Sequence, residues 1–130
     1  MKLQAEPVVR HTDPRGDLIK AWPAPVAGEV YAVELRPGHP RGHHIHTHGG
    51  EWFVALQGRA VLVTERPDGS ERQVHALADR RLYVPPGLAH TLFCEAPALV
   101  LAVADVHYDH EHTLPHAIVA PTEAELAALW

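Results

Sequence analysis

Apolar residues along this chain fall in short runs separated by turn formers. Residues 17–22 and 28–35 are apolar-rich, and Pro23, Pro25, Pro37, Gly38 and Pro40 break the chain between and after them. Residues 51–57 and 59–66 read as two strands divided by Gly58. The second is rich in β-branched side chains and runs into Pro67, Asp68, Gly69 and Ser70, a good hairpin turn. Residues 70–77 are then the returning strand, and further strands are predicted at 81–84, 90–95 and 99–106. Short strands with Gly/Pro turns every 8–12 residues or roughly so predict a β-sandwich or barrel, not an α/β fold. One helix is predicted, at the C-terminus. Thr122, Glu123, Ala124 and Glu125 form a capping-box sequence, and residues 126–130 continue with good helix formers. With no repeats or linkers, residues 1–130 are expected to be a single all-β domain.

Composition narrows the class. At 130 residues with 46% hydrophobic and 21% charged positions, the chain is globular and long enough to bury a core. Cys94 is the single cysteine, so no intrachain disulfide is possible. The longest apolar run, residues 96–104, is nine residues, well below the ~20 that span a bilayer. The first seven residues contain no apolar core of a signal peptide. A cytoplasmic protein with no membrane partner is expected. The net charge of −5 argues against nucleic acid, which demands a basic face.

Histidine changes the picture, with 12 in 130 residues. Residues two apart on a strand face the same side, so His44 and His46 can converge. Glu51 follows the Gly49-Gly50 turn and can add a carboxylate. His90 closes the tight turn that begins at Pro85. Three imidazoles and a carboxylate suit one divalent transition metal such as Zn, Ni, Mn or Fe. His39, His43 and His48 flank the set as rim or surface residues, and alternation places His43 opposite His44.

These residues resemble the cupins. Gly38, His44, His46, Glu51 and Gly58 fit the first cupin motif without a gap, and Pro85, Gly87 and His90 fit the second. Cys94 stands where asparagine is usual. The resemblance implies a double-stranded β-helix, or jelly roll, with the site inside the barrel, and a homodimer. Three local stretches are similar to sugar-nucleotide cupins, the dTDP-4-dehydrorhamnose 3,5-epimerases and the 3,4-ketoisomerases. They are Asp13 to Leu18, Arg41 to His46, and the run from Leu99 to Tyr108 and Asp109. That likeness implies isomerisation or epimerisation of a keto-sugar or sugar-nucleotide substrate through an enediol. Arg41 and Arg15 are then candidates for a diphosphate, and Tyr31 and Tyr108 for acid/base work or stacking.

The chain departs from the ketoisomerase pattern, which carries glutamine at the Glu51 position and no histidine at the His90 position. A histidine whose lone pair holds a metal is not free to act as the base. Two other readings follow from the ligand set: an iron dioxygenase, and a cupin that only binds a small ligand. Last, residues 105–112 alternate as an exposed edge strand, with Asp105, His107, Asp109 and Glu111 on one face and Tyr108, His110 and His112 on the other.

Overall fold

The computed structural model describes residues 2–130. In chain order its strands are β1 (Gln4–Pro7), β2 (Val9–Asp13), β3 (Gly16–Lys20), β4 (Glu29–Leu35), β5 (Arg41–His46) and β6 (Glu51–Gln57). They continue as β7 (Ala60–Glu65), β8 (Gln73–Leu77), β9 (Arg80–Val84), β10 (Ala89–Cys94), β11 (Ala98–Ala104) and β12 (Thr113–Pro115), and helix α1 is Glu123–Ala127. Two five-stranded sheets, ordered β1-β9-β6-β11-β4 and β12-β5-β10-β7-β8, form the barrel, and β2 and β3 make a separate hairpin. The strand pairs are antiparallel. The expected all-β jelly roll is the fold found.

Alternation explains the core. β6, β7 and β11 are nearly continuous apolar runs because both of their faces are covered. Leu35, Leu62, Leu77, Leu82 and Val100 point between the sheets and are essentially inaccessible. Each such side chain contributes on the order of 1.5–3 kcal/mol by leaving water. A second cluster lies on the outer face of the second sheet, where Ile45, Val61, Val63 and Ala89 meet Ile118, with Leu126 and Leu129 of the tail against them.

Two sequence expectations are corrected. Residues 105–112 do not form an edge strand. The Asp109 side chain accepts the Glu111 N–H at 2.9 Å and caps a 3-10 turn at His110–His112, and pairing resumes only at β12. The helix begins as expected, with the Thr122–Glu125 capping box present, but ends at Ala127 rather than running to the terminus. Strands β1, β2 and β12 were not anticipated. Among the described residues no helix is long and apolar enough to cross a membrane.

Candidate metal centre

Strand β5 delivers His44 and His46 to the barrel interior, and a bulge decides which histidines go there. β10 pairs His90 with His44 but Thr91 with Gly42, leaving His43 as the extra residue. Gly42 has φ 126° and His43 φ 53°, the left-handed region that a bulge requires. A Cβ on Gly42 would sit 2.9 Å from the His90 carbonyl oxygen. His43 therefore turns outward, its Nδ1 accepting the Ile118 N–H at 3.0 Å and its ring edge-on to Phe93. That is the opposite side from His44, as alternation predicts.

His90 enters from β10 just after the Pro-Pro-Gly turn, and the Gly87 N–H donates to the His46 carbonyl at 2.8 Å, tying the two ligand-bearing segments together. Glu51 opens β6, between β9 and β11 in the opposite sheet. Its approach is clamped. The Gly50 N–H donates to Asp105 Oδ2 at 3.0 Å, the Asp105 N–H donates to the Gly50 carbonyl at 3.0 Å, and the Tyr83 hydroxyl donates to the same Oδ2 at 2.5 Å. A Cβ on Gly50 would come within 2.5 Å of the Val84 carbonyl, so the close turn requires glycine.

One ligand atom each from His44, His46, Glu51 and His90 lies within 4.8 Å of all the others. His90 is 2% exposed and Glu51 5%. Burial, and then the neighbouring imidazoles, push His44 down to about 4 and His90 down to about 3, so both rings are neutral near pH 7. Their Nε2 atoms stand 3.1 Å apart.

The hydrogen-bond network assigns the His46 tautomer. The Thr113 hydroxyl donates to the Asp109 carbonyl at 2.9 Å, so toward His46 Nδ1, 3.2 Å away, it can only accept. In the neutral ring this puts the proton on Nδ1 and leaves Nε2 with a lone pair to offer. That Nε2 is 2.6 Å from Glu51 Oε1, yet it has no hydrogen-bond partner in acceptable geometry. Two acceptors held this close repel unless a cation lies between them. The Tyr31 hydroxyl donates to the other Glu51 oxygen. Burial works to raise the Glu51 carboxyl, and the hydrogen bond from Tyr31 works to lower it. Burial first, then Glu51, push the Tyr31 phenol far above its ordinary value. Three imidazoles, a carboxylate and an orphaned ring nitrogen in one cluster fit a divalent transition metal.

His44, His46 and Glu51 line a cavity of about 530 Å³, and His90 is buried beside them. Glu29, Tyr31 and Tyr108 line it on one side and His48, His112 and Thr113 on another, with the Val106 side chain adding apolar surface. The structure brings together the four expected ligands and both tyrosines. Tyr31 sits within the cavity, and Tyr108 stands at its mouth, 62% exposed, its N–H donating to Glu29 Oε1 at 2.8 Å. The arginines lie elsewhere. Arg15 is at the tip of the β2–β3 hairpin, paired with Asp13 at 2.6 Å. Arg41 is exposed at the start of β5; its charge reaches Tyr31, but its side chain does not line the cavity.

Sequence reasoning missed Glu29, Asp109 and His112 as cavity residues and Asp105 as the clamp. The Gly49-Gly50 pair just before Glu51 was a signal for the clamp, because paired glycines mark a close backbone approach.

No curated protein matches the chain. Similar solved structures include a dTDP-sugar isomerase from Desulfovibrio desulfuricans G20, at 18% identity and TM-score 0.77, covering 94% of this chain and 85% of that one. The sugar 3,4-ketoisomerase QdtA from Thermoanaerobacterium thermosaccharolyticum, in complex with TDP, matches at 19% and 0.69, covering 86% of each chain. The 3'-monoepimerase ChmJ from Streptomyces bikiniensis, in complex with dTDP-quinovose, matches at 15% and 0.74, covering 87% of this chain and 68% of that one. At these identities the likeness is one of fold, the cupin jelly roll. Residues 11–113 match the family described as polysaccharide biosynthesis C-terminal domain, and with that match over most of its length the chain belongs to this family.

Proposed function

We propose that the protein is a metal-dependent isomerase or epimerase of a keto-sugar, taken free or as a sugar nucleotide. The observation that carries the proposal is the cluster of three histidines and one glutamate, three of whose members line a cavity of about 530 Å³. The fold is shared with sugar isomerases and epimerases, two of them solved with TDP or a dTDP-sugar, which supports the same substrate class.

His44, His46, Glu51 and His90 would hold the ion. When bound, it supplies Lewis acidity that favours loss of a proton beside a ketone. With their lone pairs committed, these four side chains take no part as bases. Tyr31 keeps its proton and donates a hydrogen bond to Glu51, orienting that carboxylate. Val106 adds apolar surface to the cavity wall, and Tyr108 lines it beside Glu29. Since Arg41 and Arg15 stand outside the cavity, the sugar ring is the part it takes, and a diphosphate would extend past the mouth. The protein is further proposed to act as a cytoplasmic homodimer, which sedimentation and fractionation would check.

The test has two steps. Elemental analysis of the purified protein should find near-stoichiometric metal, lost in His90→Ala and Glu51→Gln. The metal-loaded protein is then given TDP-4-keto-6-deoxyglucose and free ketohexoses in D2O, with NMR following deuterium uptake next to the carbonyl. Uptake that persists without oxygen supports the proposal. Turnover that stops without oxygen would favour the second reading, an iron dioxygenase, for which the ligand set itself speaks. A protein that contains no metal and takes up none overturns the proposal.

A further inference from the structure

The proposed reaction leaves one role unfilled. A proton must leave carbon, yet the three imidazoles of the cluster would be committed to the ion and the Tyr31 phenol holds its own proton. The base has to come from elsewhere in the same cavity.

One pair on its wall has the required arrangement. His112 Nδ1 lies 2.7 Å from Asp109 Oδ2, and both residues line the cavity. A carboxylate that accepts from Nδ1–H fixes the tautomer and leaves the Nε2 lone pair available, as in any histidine base oriented by an acid. Asp109 is held ionised: the Glu111 N–H, and then His112, keep its carboxyl below the ordinary value.

The pair is also fixed in place. The His112 carbonyl accepts from both the N–H and the hydroxyl of Thr47, at 3.0 and 3.2 Å, and the His112 N–H donates to the Asp109 carbonyl at 3.1 Å. The His112 ring packs against that of His48, tilted by 40° with centroids 3.5 Å apart. The next residue, Thr113, is the one whose hydroxyl contacts His46. The dyad is therefore anchored to the same strand that carries two of the metal ligands, one residue from a group touching them.

We propose that His112 is the general base of the proposed isomerase and that Asp109 is its positioning residue. This rests on the isomerase reading. His112 Nε2 takes the proton from the carbon bearing a hydroxyl beside the ketone. The C–H electron pair becomes the new C=C bond, and the carbonyl π pair moves onto oxygen, giving the enediolate. The imidazolium returns its proton to the former carbonyl carbon while the hydroxyl proton passes to the neighbouring oxygen. The ketone has moved one carbon along, and His112 ends neutral.

The experiment uses the metal-loaded protein with TDP-4-keto-6-deoxyglucose and with fructose as probes, in D2O, comparing wild type with His112→Gln, Asp109→Asn and Asp109→Glu. Expected is a loss of about 100-fold or more in deuterium uptake for His112→Gln, the usual scale for removing a general base. KM and metal content should stay unchanged. Asp109→Asn should lower kcat with KM preserved, and Asp109→Glu should recover part of it, a pattern that a merely structural contact does not produce. In wild type, imidazole 15N shifts should show His112 protonated at Nδ1 alone, and Asp109→Asn should remove that preference. Uptake in His112→Gln equal to wild type overturns the base assignment and leaves the isomerase reading standing. A wild-type protein that exchanges neither probe overturns the isomerase reading, and the base assignment falls with it.

Discussion

Metal binding has a stability consequence that can be worked out before any substrate is known. An ion that binds only the folded chain stabilises it by RT ln(1 + [L]/Kd), about 2.7 kcal/mol at a hundredfold excess over Kd. Unfolding entropy near 60 °C is about 2.1 cal/mol/K per residue, or about 0.27 kcal/mol/K for a chain of this length. The melting temperature of chelator-stripped protein should therefore rise by about 10 °C in that excess of the preferred ion. In Glu51→Gln, a side chain of nearly the same shape, the carboxylate facing His46 Nε2 becomes an amide. A resulting hundredfold loss of affinity leaves about 0.4 kcal/mol, a rise of ~1.5 °C at the same ion concentration. Differential scanning calorimetry with Zn, Ni, Mn and Fe(II), each on wild type, Glu51→Gln and His90→Ala, reads both numbers. Twelve histidines offer other places for an ion. An equal rise in all three proteins would locate binding away from this cluster and refute the reasoning, as would a flat response to all four ions.

Other consequences are testable with single substitutions. Tyr31→Phe removes the hydroxyl that donates to Glu51, and metal affinity should fall about 10–100-fold by competition titration, with the fold intact by circular dichroism. Gly42→Ala puts a Cβ 2.9 Å from the His90 carbonyl at φ 126°; melting should drop by several degrees and metal content with it, because the bulge aims His44. Arg72 pairs with Glu125 at 3.0 Å and, with the Thr122 N–H, holds the Glu125 carboxyl down to about 2 from an ordinary 4.5. A depressed folded pKa stabilises fully above about pH 4.5 and ceases to do so as pH falls through 2. The pair is partly exposed, so the effect is screened to less than the shift alone implies. Urea melts between pH 6 and 2 should show a shallower acid loss in Arg72→Met than in wild type.

The clustering of His44, His46, Glu51 and His90 was legible in the sequence because each follows a local rule. His44 and His46 alternate on one strand, the Gly49-Gly50 turn precedes Glu51, and the Pro-Pro-Gly turn leads to His90. β6, β7 and β11 were legible because apolar and β-branched residues crowd them. β12 was not: three residues ending in proline carry no periodicity, and the strand exists only because the edge of β5 receives it. The stretch 105–112 was misread for an instructive reason. On a strand, Asp109 and His112 point to opposite faces. On a 3-10 turn, residues three apart eclipse each other and meet. The alternation was present in the letters, but the Asp109 side chain competes for the Glu111 N–H, and that local bond decides the backbone.

Strand β5 has two working sides. His44 and His46 face inward, and Ile45 between them packs on Ile118 of the tail. His43 receives the tail's backbone through two hydrogen bonds, from the His116 and Ile118 N–H groups. The last fifteen residues thus serve as a splint for the ligand strand, although none of them lines the cavity. A shortened protein ending before His116 would keep every ligand and every cavity residue and still lose the support behind them. Metal uptake in such a protein measures how firmly that strand is braced, and substitutions in the tail become a means of tuning the site without touching it.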